Sequence, residues 1–168
     1  MPLNQIKTYN QHLDLSGLNP HQRTTSLKAV FDRDFTNKQP VLFNNKKVVP
    51  CPLDGAIEMN TLYAHLTTTI VDKKTNSRDF DLQRSKRLHW VRFHIDGKKP
   101  SNMLVFTVKE PNGLRTYLYD EDEKYVIVFE PRVKTNIYFL LTAYYLEGKD
   151  AQRDKIKRKY ARRITEPI

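Results

Sequence analysis

Lys86, His89 and Arg92 recur every third residue along Asp81–Ile95, a run whose Leu88, Val91 and Ile95 mark one apolar side of a helix. This spacing stacks three basic groups on a neighbouring strip, where they repel one another unless an anion sits among them. Two flanking cations also disfavour protonation of the imidazole, and a neutral imidazole near pH 7 is what a general base requires. The competing account is a solvated helix face with an incidental histidine.

A second set of polar groups follows on alternating segments. Met103–Lys109 (MLVFTVK) reads as a strand, and Pro111-Asn112-Gly113 as the turn after it. In Leu114–Asp120 the residues Leu114, Thr116 and Leu118 point one way, and Arg115, Tyr117 and Tyr119 the other. The acidic run Asp120–Glu123 is a solvated turn. Tyr125–Phe129 is apolar on both sides, as a central strand is, and Pro131 ends it. Asn136 then opens IYFLLTAYY, with Tyr138, Leu140, Thr142 and Tyr144 on one side. These runs, near 103–109, 114–120, 124–130 and 136–145, predict a four-stranded antiparallel meander. The fold class is α+β: N-terminal helices packed on that sheet, with a basic C-terminal helix.

The first half supplies the platform. Residues 1–22 are polar and read as a loop or arm, and Thr24-Thr25-Ser26 caps a short helix carrying Leu27, Val30, Phe31 and Phe35. Val41–Phe43 and Lys47–Val49 flank Asn44-Asn45 as a small hairpin, which Pro50-Cys51-Pro52 stops. Met59, Leu62, Tyr63, Leu66 and Ile70 form one helical stripe within Ala56–Val71, with His65 at its edge, and Lys73–Asp79 is a polar link. His65 either is satisfied within its helix or lines a site. His12 and His21 fall in the polar arm. Cys51 has no partner base and reads as inert. No Gly-rich phosphate loop, HExxH pair or cysteine pair is present, so no metal ligand set and no cofactor are expected.

The chain has 168 residues, enough for one domain with a real core. Its 29 Lys and Arg against 19 Asp and Glu give a net charge of +10, which favours polyanionic partners, nucleic acid first. The excess is uneven. Lys149–Arg163 holds eight basic and two acidic residues, with Ile156, Tyr160 and Ile164 at intervals of four for docking a helix and pointing its cations outward. A single cysteine excludes an intrachain disulfide and fits a reducing compartment. Mean hydropathy is −0.67. Neither a signal peptide nor a membrane span is legible, so the expected location is cytoplasmic, or a target-cell cytoplasm reached by delivery.

The runs RDFDLQRSKRLHWVRFHI (Arg78–Ile95), LRTYLYDEDEKYVIVFE and YFLLTAYYL resemble the phage barnase–EndoU–colicin–RelE-like (BECR) nucleases across roughly residues 56–146. The resemblance divides one compact domain into residues 1–55 (arm, short helix and hairpin) and 56–168 (nuclease-like part with the basic helix). It implies metal-independent endoribonuclease action, toxin-like, by attack of the ribose 2′-OH on the adjacent phosphorus to leave a 2′,3′-cyclic phosphate. Some members carry a lysine and a histidine three apart on a helix, and a hydroxyl residue and an aromatic two apart on the last strand. Lys86 with His89, and Thr142 with Tyr144, match those pairs. The third helix position is acidic in that arrangement and is Arg92 here, which keeps His65 open as the alternative base.

On this reading His89 takes the 2′-OH proton, Lys86, Arg92 and Arg115 hold the anion, and Thr142 or Tyr144 donates to a phosphate oxygen. Tyr117 and Tyr119 stack bases, or else pack beneath a helix, and Lys157, Arg158 and Lys159 meet distal phosphates. The expected partners are RNA, tRNA foremost, and an immunity or antitoxin protein, with no membrane. The alternative from another class is a non-catalytic nucleic-acid-binding module on a decayed nuclease fold, and a third is a structural phage or mobile-element protein.

Overall fold

A computed structural model describes residues 3–149 and 154–165 of the chain. A single 3₁₀ turn, Leu3–Ile6, precedes helix α1, Pro20–Phe31. Asn19 caps α1 with a reciprocal pair of bonds: its Oδ1 accepts from the Gln22 amide (2.8 Å), and its own amide donates to Gln22 Oε1 (3.0 Å). With Pro20 at the first helical position, this cap starts the helix before the threonines that sequence suggested. Leu27, Val30 and Phe31 are buried, as is Phe35 on the π turn Asp32–Thr36 that follows.

Strands β1 (Leu42–Phe43) and β2 (Lys46–Pro50) form the expected hairpin, with Asn44 (φ 51°) and Asn45 (φ 62°) both left-handed at its two-residue turn. Helix α2 runs only from Met59 to Thr67 and gives way to β3, Thr68–Asp72. The expected helix to Val71 stops early because Thr67, Thr68, Thr69, Ile70 and Val71 are all β-branched. The Thr67 and Thr68 hydroxyls donate back to the carbonyls of Tyr63 (2.8 Å) and Ala64 (2.6 Å), closing the last turn. β3 pairs with β4 (Ser77–Phe80), so the expected polar link is half of a small two-stranded sheet.

The helix expected over Asp81–Ile95 is two. α3 (Leu82–Ser85) and α4 (Leu88–Ile95) are separated at Lys86 and Arg87. The Lys86 carbonyl accepts from the Leu13 amide (2.9 Å), so the N-terminal arm takes an acceptor that a continuous helix would have used. The arm is packed. Leu13 and Leu15 are buried, Tyr9 stacks on Phe93, and Trp90 Nε1 donates to the Gln11 carbonyl (3.0 Å).

The remaining strands are β5 (Met103–Glu110), β6 (Gly113–Asp120), β7 (Tyr125–Arg132, through Pro131) and β8 (Ile137–Tyr145), followed by helix α5, Lys155–Ala161. The main sheet is not a four-stranded antiparallel meander. It has six strands in the order β1-β2-β8-β7-β6-β5, and β2 lies parallel to β8, from Lys47 opposite Ile137 to Pro50 opposite Leu140. The outer edge of β8 would otherwise leave its amides and carbonyls unpaired, and β2 supplies that partner from far away in sequence. Pro50 and Pro52 then end the pairing, since proline has no amide to give.

Both faces of the sheet are packed. Against one face, α1, α2 and α4 bury Leu118, Tyr125, Ile127, Phe129, Tyr138 and Leu140 in a core that also takes in Leu13, Phe31 and Val41. On the other, Phe106, Val108, Tyr117, Tyr119 and Val126 lie beneath Leu146 and the α5 residue Ile156.

Candidate functional site

The helix strip comes apart in three dimensions. His89 is 4% exposed, and its Nε2 donates to the Thr8 carbonyl at 3.1 Å. Burial pushes its pKa down to about 4, outweighing the bond to Thr8 that opposes it. The flanking cations inferred from sequence are not the main cause. Arg92 is spent on Asp96 (2.9 Å) and on the carbonyls of Asp34 (2.8 Å) and Lys38 (2.7 Å). Lys86 caps α3, on a different helix from His89. His89 and Arg92 are thus internal braces between α4, the π turn and the arm. The residues that sequence offered as base, His89, and as anion holder, Arg92, are thus both buried, each bonded within the fold.

The tyrosines are also internal. Tyr117 is 5% exposed and Tyr119 fully buried. Tyr117 donates to Glu110 at 3.1 Å and Tyr119 to Asp154 at 3.4 Å, and burial raises the pKa of both. They pack beneath α5, the placement that sequence set beside base stacking as its alternative. Lys159 pairs with Glu110 and also lies over the Tyr117 ring, while Lys157 pairs with Glu121 (3.0 Å) and Asp154 (3.7 Å). Arg158 is exposed, and Arg153, another of the tail's cations, lies outside the described residues.

A buried set that sequence did not single out ties the arm to the β6–β7 turn. His94 Nε2 lies 3.1 Å from Asp120 Oδ2, and Tyr9 donates to the same carboxylate. Burial raises the Asp120 pKa, but bonds from His94, Tyr9 and the Glu123 amide overcome this and hold it at about 2. Asp120 is wholly enclosed, so the set is structural.

An open cluster forms where β2 leaves β8. Val128 of β7 faces Thr142 and Phe129 faces Leu140, so Leu141 is an extra residue, a bulge that turns Leu141 and Thr142 toward the α5 side of the sheet. At that bulge a recess of about 390 Å³ is lined by His65 of α2, Thr69 of β3, Arg78 of β4, Arg84 of α3, and Leu141 and Thr142. Arg84 Nη1 donates to Thr142 Oγ1 (3.1 Å) and to the carbonyls of His65 (3.0 Å) and Thr68 (3.2 Å). Arg78 is held by Thr68 through Oγ1 (2.8 Å) and its carbonyl (2.9 Å). The His65 pKa is lowered, first by burial and then by Arg78 and Arg84, with a backbone bond to Leu141 opposing. A neutral imidazole, a hydroxyl and two guanidiniums therefore share one opening.

The recess that contains His89 and Arg92 has no residue in common with this one. Of the residues singled out in sequence, the structure brings together His65 and Thr142. Arg115 stands on the same sheet face two strands away, paired with Glu130 (3.4 Å), and Tyr144, half-buried, shares that face. Arg78 and Arg84 were missed because Arg78 fell in an apparent link and Arg84 in an apparently continuous helix. The β-branched run Thr67–Val71 was the signal that a hairpin began there. Among the described residues no group of acidic, histidine and cysteine side chains could hold a metal. No family model, curated protein or solved structure matches the chain.

Proposed function

We propose that this chain is a metal-independent endoribonuclease whose reactive recess is His65, Arg78, Arg84 and Thr142. The carrying observation is the convergence, at the β8 bulge, of a histidine held neutral with two fixed guanidiniums and a hydroxyl. His65 removes the 2′-OH proton and the 2′-oxygen attacks phosphorus. The bond from phosphorus to the 5′-oxygen breaks, and that oxygen takes a proton from the water that the open recess admits. Arg78 and Arg84 face the added negative charge of the phosphorane, and Thr142 donates to one of its oxygens. The resemblance to BECR nucleases supports the same reaction, with His65 in place of His89 as the base. The test is single-stranded RNA incubated in chelator. Wild type yields fragments ending in 2′,3′-cyclic phosphate and His65→Gln does not; intact RNA at every pH overturns the proposal.

One observation favours a second reading, a binding module without turnover. Arg84 Nη1 already serves three protein acceptors, including Thr142 Oγ1, so this nitrogen is committed to holding the recess together rather than to a reacting phosphate. On that reading RNA binds with a steep salt dependence and emerges uncut.

A further inference from the structure

Building on the proposed RNA-cleaving recess, we propose that the uncovered half of the α5-side sheet face is a platform for single-stranded RNA, on which a base stacks against Phe139 while Arg132 and Arg115 follow the backbone into the recess. One row of side chains crosses the sheet on this face. Val108 faces Arg115, Arg115 pairs with Glu130, Glu130 faces Phe139, and Phe139 faces Val49 of the parallel strand β2. Residues directly opposite in a sheet share a face, and Val108 fixes it as the α5 side.

Burial changes along this row. Val108 is closed off near α5, whereas Phe139, Val49, Ile137 and Leu141 are only partly buried and Arg132 is exposed. The occupant follows from chemistry. Glu130 is one carboxylate answering two guanidiniums, Arg132 at 2.8 Å and Arg115 at 3.4 Å, which leaves an excess of positive charge for a polyanion. Arg132 lies 5.2 Å from the Phe139 ring centroid. A base displacing it gains an aromatic stacking surface and frees the guanidinium for the adjacent phosphate. Leu141 belongs both to this face and to the lining of the recess, so a strand lying on Phe139 continues to Thr142 and His65. A duplex keeps its bases stacked on one another and offers none to Phe139.

The test uses a 2′-O-methyl hexanucleotide carrying one 2-aminopurine, which has no 2′-OH nucleophile, and its fully paired duplex. Wild type should quench the single strand's fluorescence on binding and leave the duplex's already low fluorescence unchanged. Phe139→Leu should weaken single-strand binding roughly tenfold and remove the quench, while Phe139→Tyr keeps both. Arg132→Gln, at an exposed position that does not threaten folding, should reduce the salt slope of binding by about one unit. Unchanged affinity, quench and slope in these variants, or equal quenching of the duplex, overturns the platform. The probe cannot be cut, so a protein that stacks it on Phe139 yet never cleaves RNA upholds the platform and overturns the nuclease reading.

Discussion

The two halves of the α5-side sheet face are built from the same kinds of residue and do opposite things. Beneath α5, the aromatics Phe106, Tyr117 and Tyr119 are buried, and the two tyrosine hydroxyls are answered by Glu110 and Asp154. Beyond it, Phe139 is half-buried beside two arginines that share one carboxylate. Tyrosines beside an arginine on an alternating strand therefore do not mark a binding face by themselves. What separates the halves is Ile156, a fully buried side chain of a helix that comes after every strand. The β8 bulge adds the second difference, because it sets Thr142 beside His65 at the rim of the open half.

The largest expected effect is on the open side. His65→Gln should lower RNA cleavage by about 10²- to 10⁴-fold, the usual contribution of a positioned base, with little change in melting temperature because His65 is only half-buried. A drop in stability of matching size would make His65 a packing residue and remove the difference between the halves. On the closed side, Ile156→Ala should cost about 2–4 kcal/mol through the cavity it leaves, a melting shift of roughly 5–15 °C. The same variant should leave the cleavage rate at saturating substrate unchanged if α5 only covers.

Two histidines sharpen the comparison through pH. His89 is sealed in the core, and its pKa falls from an ordinary 6.5 to about 4. The unfolded chain therefore binds its proton first, so the stability His89 contributes is complete above pH 6.5 and is lost as pH falls toward 4, by about 2–3 kcal/mol. Urea midpoints across that window should drop in wild type and stay flatter in His89→Gln. Asp120 follows at lower pH, its contribution lost as pH falls from 3.8 toward 2. His65, whose pKa is also lowered, should instead shape the acid limb of activity, with turnover falling as pH drops below its depressed pKa and the imidazole is protonated.

The strands from Met103 onward and the Asn44-Asn45 hairpin were legible because alternation and turn residues are local signals. The pairing of β2 with β8 was not, since nothing in either strand names a partner some ninety residues away. The break at Lys86 was hidden for the same reason: it depends on the Leu13 amide, which belongs to a segment that reads as a free arm. In the site, His65 and Thr142 were visible as candidates. His89 looked better than either because spacing cannot report that an arm covers it.

The smallest expected effect concerns the basic tail. Sequence assigns Lys157 and Lys159 to distal phosphates, but each already has a carboxylate, Glu121 for the first and Glu110 for the second. A cation that must give up an ion pair to meet a phosphate releases fewer counterions on binding than a free one. Replacing both with glutamine should therefore change the salt slope of RNA binding by less than one unit. Lys159→Gln alone should cost about 0.5–1 kcal/mol of stability, because its pair with Glu110 is mostly shielded, with 18% and 15% of the two side chains exposed. Arg132→Gln alone should move the slope more than the double tail variant does. The reverse order, with the tail variant losing about two units of slope, would make the covered half an RNA surface and erase the distinction between it and the open half.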